Sequence, residues 1–398
     1  MINIRKKVVS FLKRVNLYYS VIIFKDSIWY FPKIVFSFIA SFLPKKNNKI
    51  VISSFYGEQY NAEPKMISDR LLESYSGFNI VWIYNGIIDD KRIKTVKYLS
   101  YRCLYELATA SVWVDNCRKP FWIKKNKKQL YIQTWHGAVC IKAVEKDAID
   151  GLSPTYIKNA RSDSDKANYI VSEAEWRTNN IKKAFWYNGD IIKASFYPGN
   201  NDVQDKVYNY FDIPKDYSIA LYVPTFRNDH SLDYYIKDYK KILNSIESSF
   251  GGKWIFIIRL HPNIANNANS FTYDDNLKNG TDYSSVDELI VSSDLIISDY
   301  SGCLFDSFYY NKKVFIYAND LDKYMNNERK LYFDIRKLPA PVSQNEEELI
   351  NAISSYDCIK YSSMGKKFVK KLGFYSTHAD KLCCELIDKH IIGYNEGY

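Results

Sequence analysis

Motifs for metal and nucleotide-cofactor chemistry are missing from this chain. Its seven cysteines, at 103, 117, 140, 303, 358, 383 and 384, contain no Cys-x-x-Cys pair. That excludes a thiolate zinc site and a disulfide framework, and favours a reducing compartment. Histidine is scarce, with five in 398 residues, and no His-x-x-x-His pair or ion-binding run of carboxylates accompanies it. No metal is therefore expected. The Gly-x-Gly-x-x-Gly fingerprint and the P-loop are absent, which disfavours a dinucleotide oxidoreductase or an ATPase and leaves no cofactor to expect. Uncharged apolar runs reach about ten residues, short of the roughly 20 that span a bilayer. No small-residue cleavage site follows the N-terminal apolar region, so a secretory signal is not expected.

What is present is unevenly placed. Of the net charge of +10, residues 1–48 carry +8, from Arg5, Lys6, Lys7, Lys13, Arg14, Lys25, Lys33, Lys45 and Lys46 against Asp26. The rest of the chain carries only +2, which disfavours a nucleic-acid partner for the folded body. The same segment holds bulky apolar stretches at Val8–Leu12, Tyr18–Phe24 and Ile34–Leu43. It predicts one or two basic amphipathic helices lying in an anionic membrane surface, a peripheral attachment on the cytoplasmic side. The alternative is a helical pair packed on the body, its lysines simply solvated.

After Lys49 the pattern becomes short apolar runs separated by helix-like stretches. Strands are expected at Ile50–Ser54, Ile80–Tyr84, Val112–Asp115, Leu130–Gln133, Tyr169–Ser172 and Ile191–Ala194, then at Ile219–Val223, Trp254–Ile258, Leu295–Ser298 and Val314–Tyr317. Continuous Val/Ile-rich runs suit strands buried on both faces, and their alternation with helices implies an α/β protein of two doubly wound parallel sheets. The Pro- and Asn-rich stretch 198–214 marks the boundary. The expected division is a membrane-associating segment 1–48 and two Rossmann-like domains, 49–205 and 206–398, facing each other across a cleft.

Residues at strand carboxyl ends are where such sheets meet ligands. His136, in Gln133-Thr134-Trp135-His136-Gly137, follows one strand; His261, in Arg259-Leu260-His261-Pro262, follows another. One histidine from each half, at equivalent positions, points to catalysis. Gly137 permits close ligand approach. Ser298-Asp299-Tyr300-Ser301-Gly302 follows a strand and opens a helix, an arrangement that suits a phosphate, although Ser301 would cap that helix without any ligand. Asp306 lies one turn further. Pro224-Thr225-Phe226-Arg227 closes the first strand of the second half. Arg227 and Arg259 suit anionic groups, or equally a structural ion pair.

Taken together in order, these stretches resemble the CDP-glycerol:polyglycerol-phosphate glycerophosphotransferase family of teichoic-acid primases, polymerases and capsule-cluster relatives. The matching residues begin with Phe55-Tyr56-Gly57-Glu58-Gln59-Tyr60 and Pro64. They continue through the Trp135-His136-Gly137 stretch with Lys142 and Asp147, the Pro224, Arg259 and Ser298 stretches, and Asp320-Leu321, Tyr324, Arg329 and Tyr332-Phe333-Asp334. The resemblance covers roughly residues 50–390. It implies a GT-B-like enzyme that moves a polyol phosphate, chiefly glycerol phosphate, from a CDP-activated donor to a lipid-linked acceptor and releases CMP. It makes His136 the base at the acceptor hydroxyl and His261 the group at the donor phosphate. Gly137, Pro224, Thr225, Arg227, Arg259, Asp299, Ser301, Gly302, Asp306 and Arg329 are the implied binding residues. Departures from the family pattern are Ala138-Val139 after the His-Gly pair, Gly199 where an arginine is common, and Gly302 in place of a second serine. A CDP-ribitol donor, a UDP-sugar transferase of the same architecture and a non-catalytic membrane scaffold are the competing readings.

Overall fold

The structure, a computed structural model, describes residues 28–196, 200–227, 231–327 and 330–395, together with Ser20 and Phe24. The expectations for the first part of the N-terminal segment, for Gly199 and for Arg329 therefore lie outside the described residues.

Thirteen strands form two parallel sheets among the described residues. The first holds β1 (Lys46–Ser53), β2 (Asn79–Ile83), β3 (Ile93–Val96), β4 (Ala110–Asp115), β5 (Leu130–Gln133), β6 (Tyr169–Ser172) and β7 (Asp190–Lys193), in the order β3-β2-β1-β4-β5-β6-β7. The second holds β8 (Tyr217–Val223), β9 (Lys253–Ile258), β10 (Leu277–Asn279), β11 (Leu295–Ser298), β12 (Lys313–Tyr317) and β13 (Val342–Ser343), in the order β10-β9-β8-β11-β12-β13. Strand order reverses between β1 and β4, and again between β8 and β11. Each reversal opens a crevice at the strand carboxyl ends.

The apolar runs are continuous because both faces of each sheet are covered. Along β1, Ile50 and Ile52 enter one core while Val51 enters the core on the opposite face. Along β8, Ile219, Leu221 and Val223 face one side and Ala220 and Tyr222 the other. The expected strands all form, with ends shifted by a few residues: β1 starts at Lys46 rather than Ile50. Three strands were not expected, β3, β10 and β13, and all three lie at sheet edges.

Two findings concern the ends of the chain. Helix Phe31–Ala40 lies on helix Tyr101–Thr109, burying Ser37 and Ala40 and stacking Tyr30 on Trp122 at 5.7 Å. Its other side exposes Phe31, Val35, Phe38 and Ile39, and Phe42 just beyond is also exposed. Among the described residues no helix is long and apolar enough to cross a membrane. The last helix, Ala379–Asn395, returns to the first sheet although its residues follow the second. Its Ala379, Cys383, Cys384, Ile387 and Ile391 share a core with Ile50 and Val112, and Arg70 pairs with Asp380 at 2.5 Å.

Candidate active site

A cleft of about 510 Å³ lies where the carboxyl ends of the two sheets face each other, within the usual range for small-ligand sites. Both predicted histidines open onto it. His136 follows β5 in a backbone that two left-handed residues bend sharply, Trp135 (φ 59°) and Gly137 (φ 75°). Only glycine holds such a φ without strain, so Gly137 serves the turn itself. The loop is clamped from several sides. Gly137 N–H donates to Glu63 Oε1 at 3.2 Å, Arg177 Nη2 donates to the Gly137 carbonyl at 3.2 Å, and the Trp135 indole stacks on the His136 ring at 4.6 Å.

Hydrogen bonds decide what each imidazole offers the cleft. His136 Nδ1 lies 3.0 Å from the Asn116 carbonyl. A carbonyl only accepts, so Nδ1 carries the proton and Nε2 presents a lone pair. His261 is the reverse case. Its Nδ1 accepts from the Asn263 backbone N–H at 3.2 Å, so in the neutral ring Nε2 carries the proton and donates. Enclosure by the cleft walls pushes the His136 pKa down to about 4, with the Arg177 and Arg118 charges assisting and the Asn116 carbonyl opposing. His261 is also pushed down to about 4, by burial first and then by Lys142 and Arg259. Both rings are neutral at pH 7: one acceptor and one donor, on opposite walls.

Thr225, Arg259, Ser301, Gly302 and Asp306 join the histidines and Gly137 in lining this cleft. Three other predicted residues do not. Pro224 is buried at the end of β8. Arg227 and Asp299 bind each other, Nη1 to Oδ2 at 2.9 Å, and Arg227 also grips Asp320 through Nε at 2.7 Å and Nη2 at 3.0 Å. The freed Asp299 oxygen, Oδ1, accepts from Thr225 N–H at 2.9 Å and Tyr300 N–H at 2.7 Å. This buried cluster holds the Thr225 and Tyr300 loops together behind the cleft wall. Of the two uses considered for Arg227, the structural ion pair is the one formed. Arg259 is partly committed too, with Nη1 donating to the carbonyls of Gly280 (3.0 Å) and Tyr283.

The family profile described as CDP-Glycerol:Poly(glycerophosphate) glycerophosphotransferase matches residues 35–380. The chain belongs to this family. Among curated members, the teichoic acid poly(glycerol phosphate) polymerase of Bacillus subtilis (strain 168) is 29% identical over 343 residues, which is 81% of this chain and 46% of that protein. The chain thus spans about half the length of that relative. The teichoic acid glycerol-phosphate transferase of Staphylococcus aureus (strain NCTC 8325 / PS 47) is 27% identical over 340 residues, 80% of this chain and 86% of that protein. The solved wall teichoic acid polymerase TagF matches in fold with a TM-score of 0.78 at 24% identity, over 96% of this chain and 99% of the other. The two-sheet architecture is accordingly GT-B-like.

In this glycerophosphotransferase-family chain the cleft also contains carboxylates that sequence reasoning passed over. Glu63, Glu173 and Asp287 line it together with Asp306, the one carboxylate among them that the sequence points to. Burial, with the nearby Asp287 charge, pushes Glu63 up to about 7. Burial and neighbouring carboxylates also hold Glu173 and Asp306 well above the usual range. Glu173 directly follows β6, the same strand-end signal that identified the histidines. Glu63 sits just inside helix Ala62–Ser74, which is entered by the loop from β1. Among the described residues no group of three His, Cys, Asp or Glu side chains is arranged to hold a metal ion.

Proposed function

We propose that this protein transfers glycerol phosphate from CDP-glycerol to a hydroxyl of a lipid-linked acceptor, releasing CMP, during synthesis of teichoic acid or a related surface polymer. The observation that carries this reading is the opposed pair of neutral histidines across one cleft, an acceptor at His136 and a donor at His261. The acceptor's hydroxyl oxygen forms a bond to the phosphorus that bears glycerol. The bond from that phosphorus to the CMP oxygen breaks, its electron pair leaving on CMP, and the hydroxyl proton passes to His136 Nε2. A hydroxyl is a weak nucleophile at neutral pH, so a base within about 3 Å contributes on the order of 10² to 10⁴ in rate. An anionic pyrophosphate entering the cleft raises the His136 pKa from its low value, which strengthens the base when substrate is present. The His261 Nε2–H faces the phosphate oxygens, where negative charge is stabilised as the bond to CMP breaks.

In this reading residues 49–205 form the acceptor side and the chain from 206 the donor side, with the terminal helix packed back on the former. Thr225, Arg259 and Ser301 line the donor side, and Gly137 makes the turn that presents His136 on the acceptor side. The exposed apolar side of helix Phe31–Ala40 supports peripheral attachment to an anionic membrane, where a lipid-linked acceptor is concentrated. The test is product release from a panel of donors. Incubation with a lipid-linked acceptor and CDP-glycerol should release CMP faster than with CDP-ribitol, and no UDP should appear from UDP-sugars. UDP release, or CMP release from CDP-ribitol alone, would replace the donor assignment, and no release from any donor would favour the scaffold.

A further inference from the structure

The segment after His136 does not stay with the first sheet. Ala138, Val139 and Ile141 enter a core built mostly from the second half, among it Tyr300, Leu304 and Phe305. There Lys142 pairs antiparallel with Leu331, flanked by Ala143 N–H to the Lys330 carbonyl and Tyr332 N–H to the Ile141 carbonyl, both 2.7 Å. This ribbon carries a first-half cation into the second half's wall of the cleft. The half-buried Lys142 lines the cleft, with Nζ 6.0 Å from the Phe226 ring centre and 5.5 Å from that of Tyr324. Phe226 in turn lies 4.5 Å from the His261 ring. The Lys142 charge is also felt at His261, where it opposes protonation.

We propose that Lys142 is a further catalytic residue, an ammonium that binds the phosphoryl group being transferred, beside His261. The assignment rests on the phosphotransferase reading above. The phosphorus under attack has to lie between the acceptor oxygen at His136 and the donor proton at His261, and the ribbon brings Lys142 to the His261 side of that gap. A fixed ammonium there offsets charge on the non-bridging oxygens as the bond to CMP breaks. CMP itself lacks this phosphoryl group, and that difference supplies the test.

Full-length wild type, Lys142→Met and Lys142→Arg are titrated calorimetrically with CDP-glycerol and with CMP, and single-turnover CMP release is timed. Lys142→Met should weaken CDP-glycerol binding about 10- to 100-fold, the effect of one charge-assisted contact, while CMP binding changes less than about threefold. Its single-turnover rate should fall at saturating donor, and Lys142→Arg should recover most of the affinity. Equal weakening of both nucleotides, or none for either, overturns the role of Lys142 and leaves the donor reading standing. A wild type that binds CMP but not CDP-glycerol, or binds neither, overturns the donor reading and this assignment together.

Discussion

Arg227 separates a ligand-binding residue from a structural one by its cost on removal. The guanidinium makes four hydrogen bonds, to Asp299, to both oxygens of Asp320 and to the Thr225 carbonyl at 2.6 Å. Its side chain is 3% exposed, and those of Asp299 and Asp320 are 3% and 6% exposed. Arg227→Met deletes the cation but leaves two carboxylates facing each other out of water. Removing one partner of such a buried group typically costs about 3–5 kcal/mol, because the remaining charge is uncompensated. The expected result is a large fall in unfolding free energy, measured by urea denaturation at pH 7. Replacing Asp299 by Asn in the same chain removes one orphaned charge, so the double variant should be less destabilised than the sum of the single ones, by roughly 1 kcal/mol or more. Donor affinity measured below the transition, on the folded fraction, should change far less than stability. An Arg227→Met protein with wild-type denaturation but donor binding weakened tenfold would refute this reasoning and return Arg227 to the ligand.

Three further outcomes are expected. His136→Ala should lower turnover by about 10² to 10⁴ with the donor dissociation constant within a few fold, whereas His261→Ala should lose both turnover and donor affinity, because a phosphate contact exists in ground and transition states alike; steady-state kinetics with donor titration distinguish them. Glu63 is raised from 4.5 to about 7, so the folded chain holds a proton there that the unfolded chain releases, and this residue's contribution to stability falls as pH rises through that window. Glu63→Gln should flatten that fall in the difference between the two unfolding curves, and parallel curves would contradict a raised Glu63. Starting the chain at Lys49 should lower the melting temperature, because that cut uncovers Trp122 and removes the start of β1, and an unchanged melting curve would contradict this packing.

Sequence legibility followed burial. Strands covered on both faces, such as Ile50–Ile52 and Ile219–Val223, announce themselves as unbroken apolar runs. The edge strands β3 and β10 read Ile-Lys-Thr-Val and Leu-Lys-Asn, too short and polar to stand out, because an edge needs fewer apolar partners. Strand ends located both histidines, and the same rule would have found Glu173. Neither Glu63 nor the path of Lys142 was legible. Glu63 gains its place only when Asn116 and Gly137 converge on it from β4 and β5. Lys142 depends on a ribbon joining residues about 190 positions apart in the chain. Arg227 shows the converse: its residue type suits a phosphate, but Asp320, far along the sequence, takes its guanidinium. The last helix likewise follows the second sheet in sequence while its cysteines and isoleucines complete the core of the first.

The central claim is that the phosphorus bearing glycerol moves while the other leaves. It is tested most directly by supplying full-length protein and lipid-linked acceptor with CDP-glycerol labelled with ³²P at one phosphorus or the other. Label next to glycerol should appear in the acceptor and label next to cytidine in CMP, in equal amounts, and both transfers should stop in His136→Ala. Label next to cytidine entering the acceptor, or glycerol transferred while both labels stay with the nucleotide, would contradict the account.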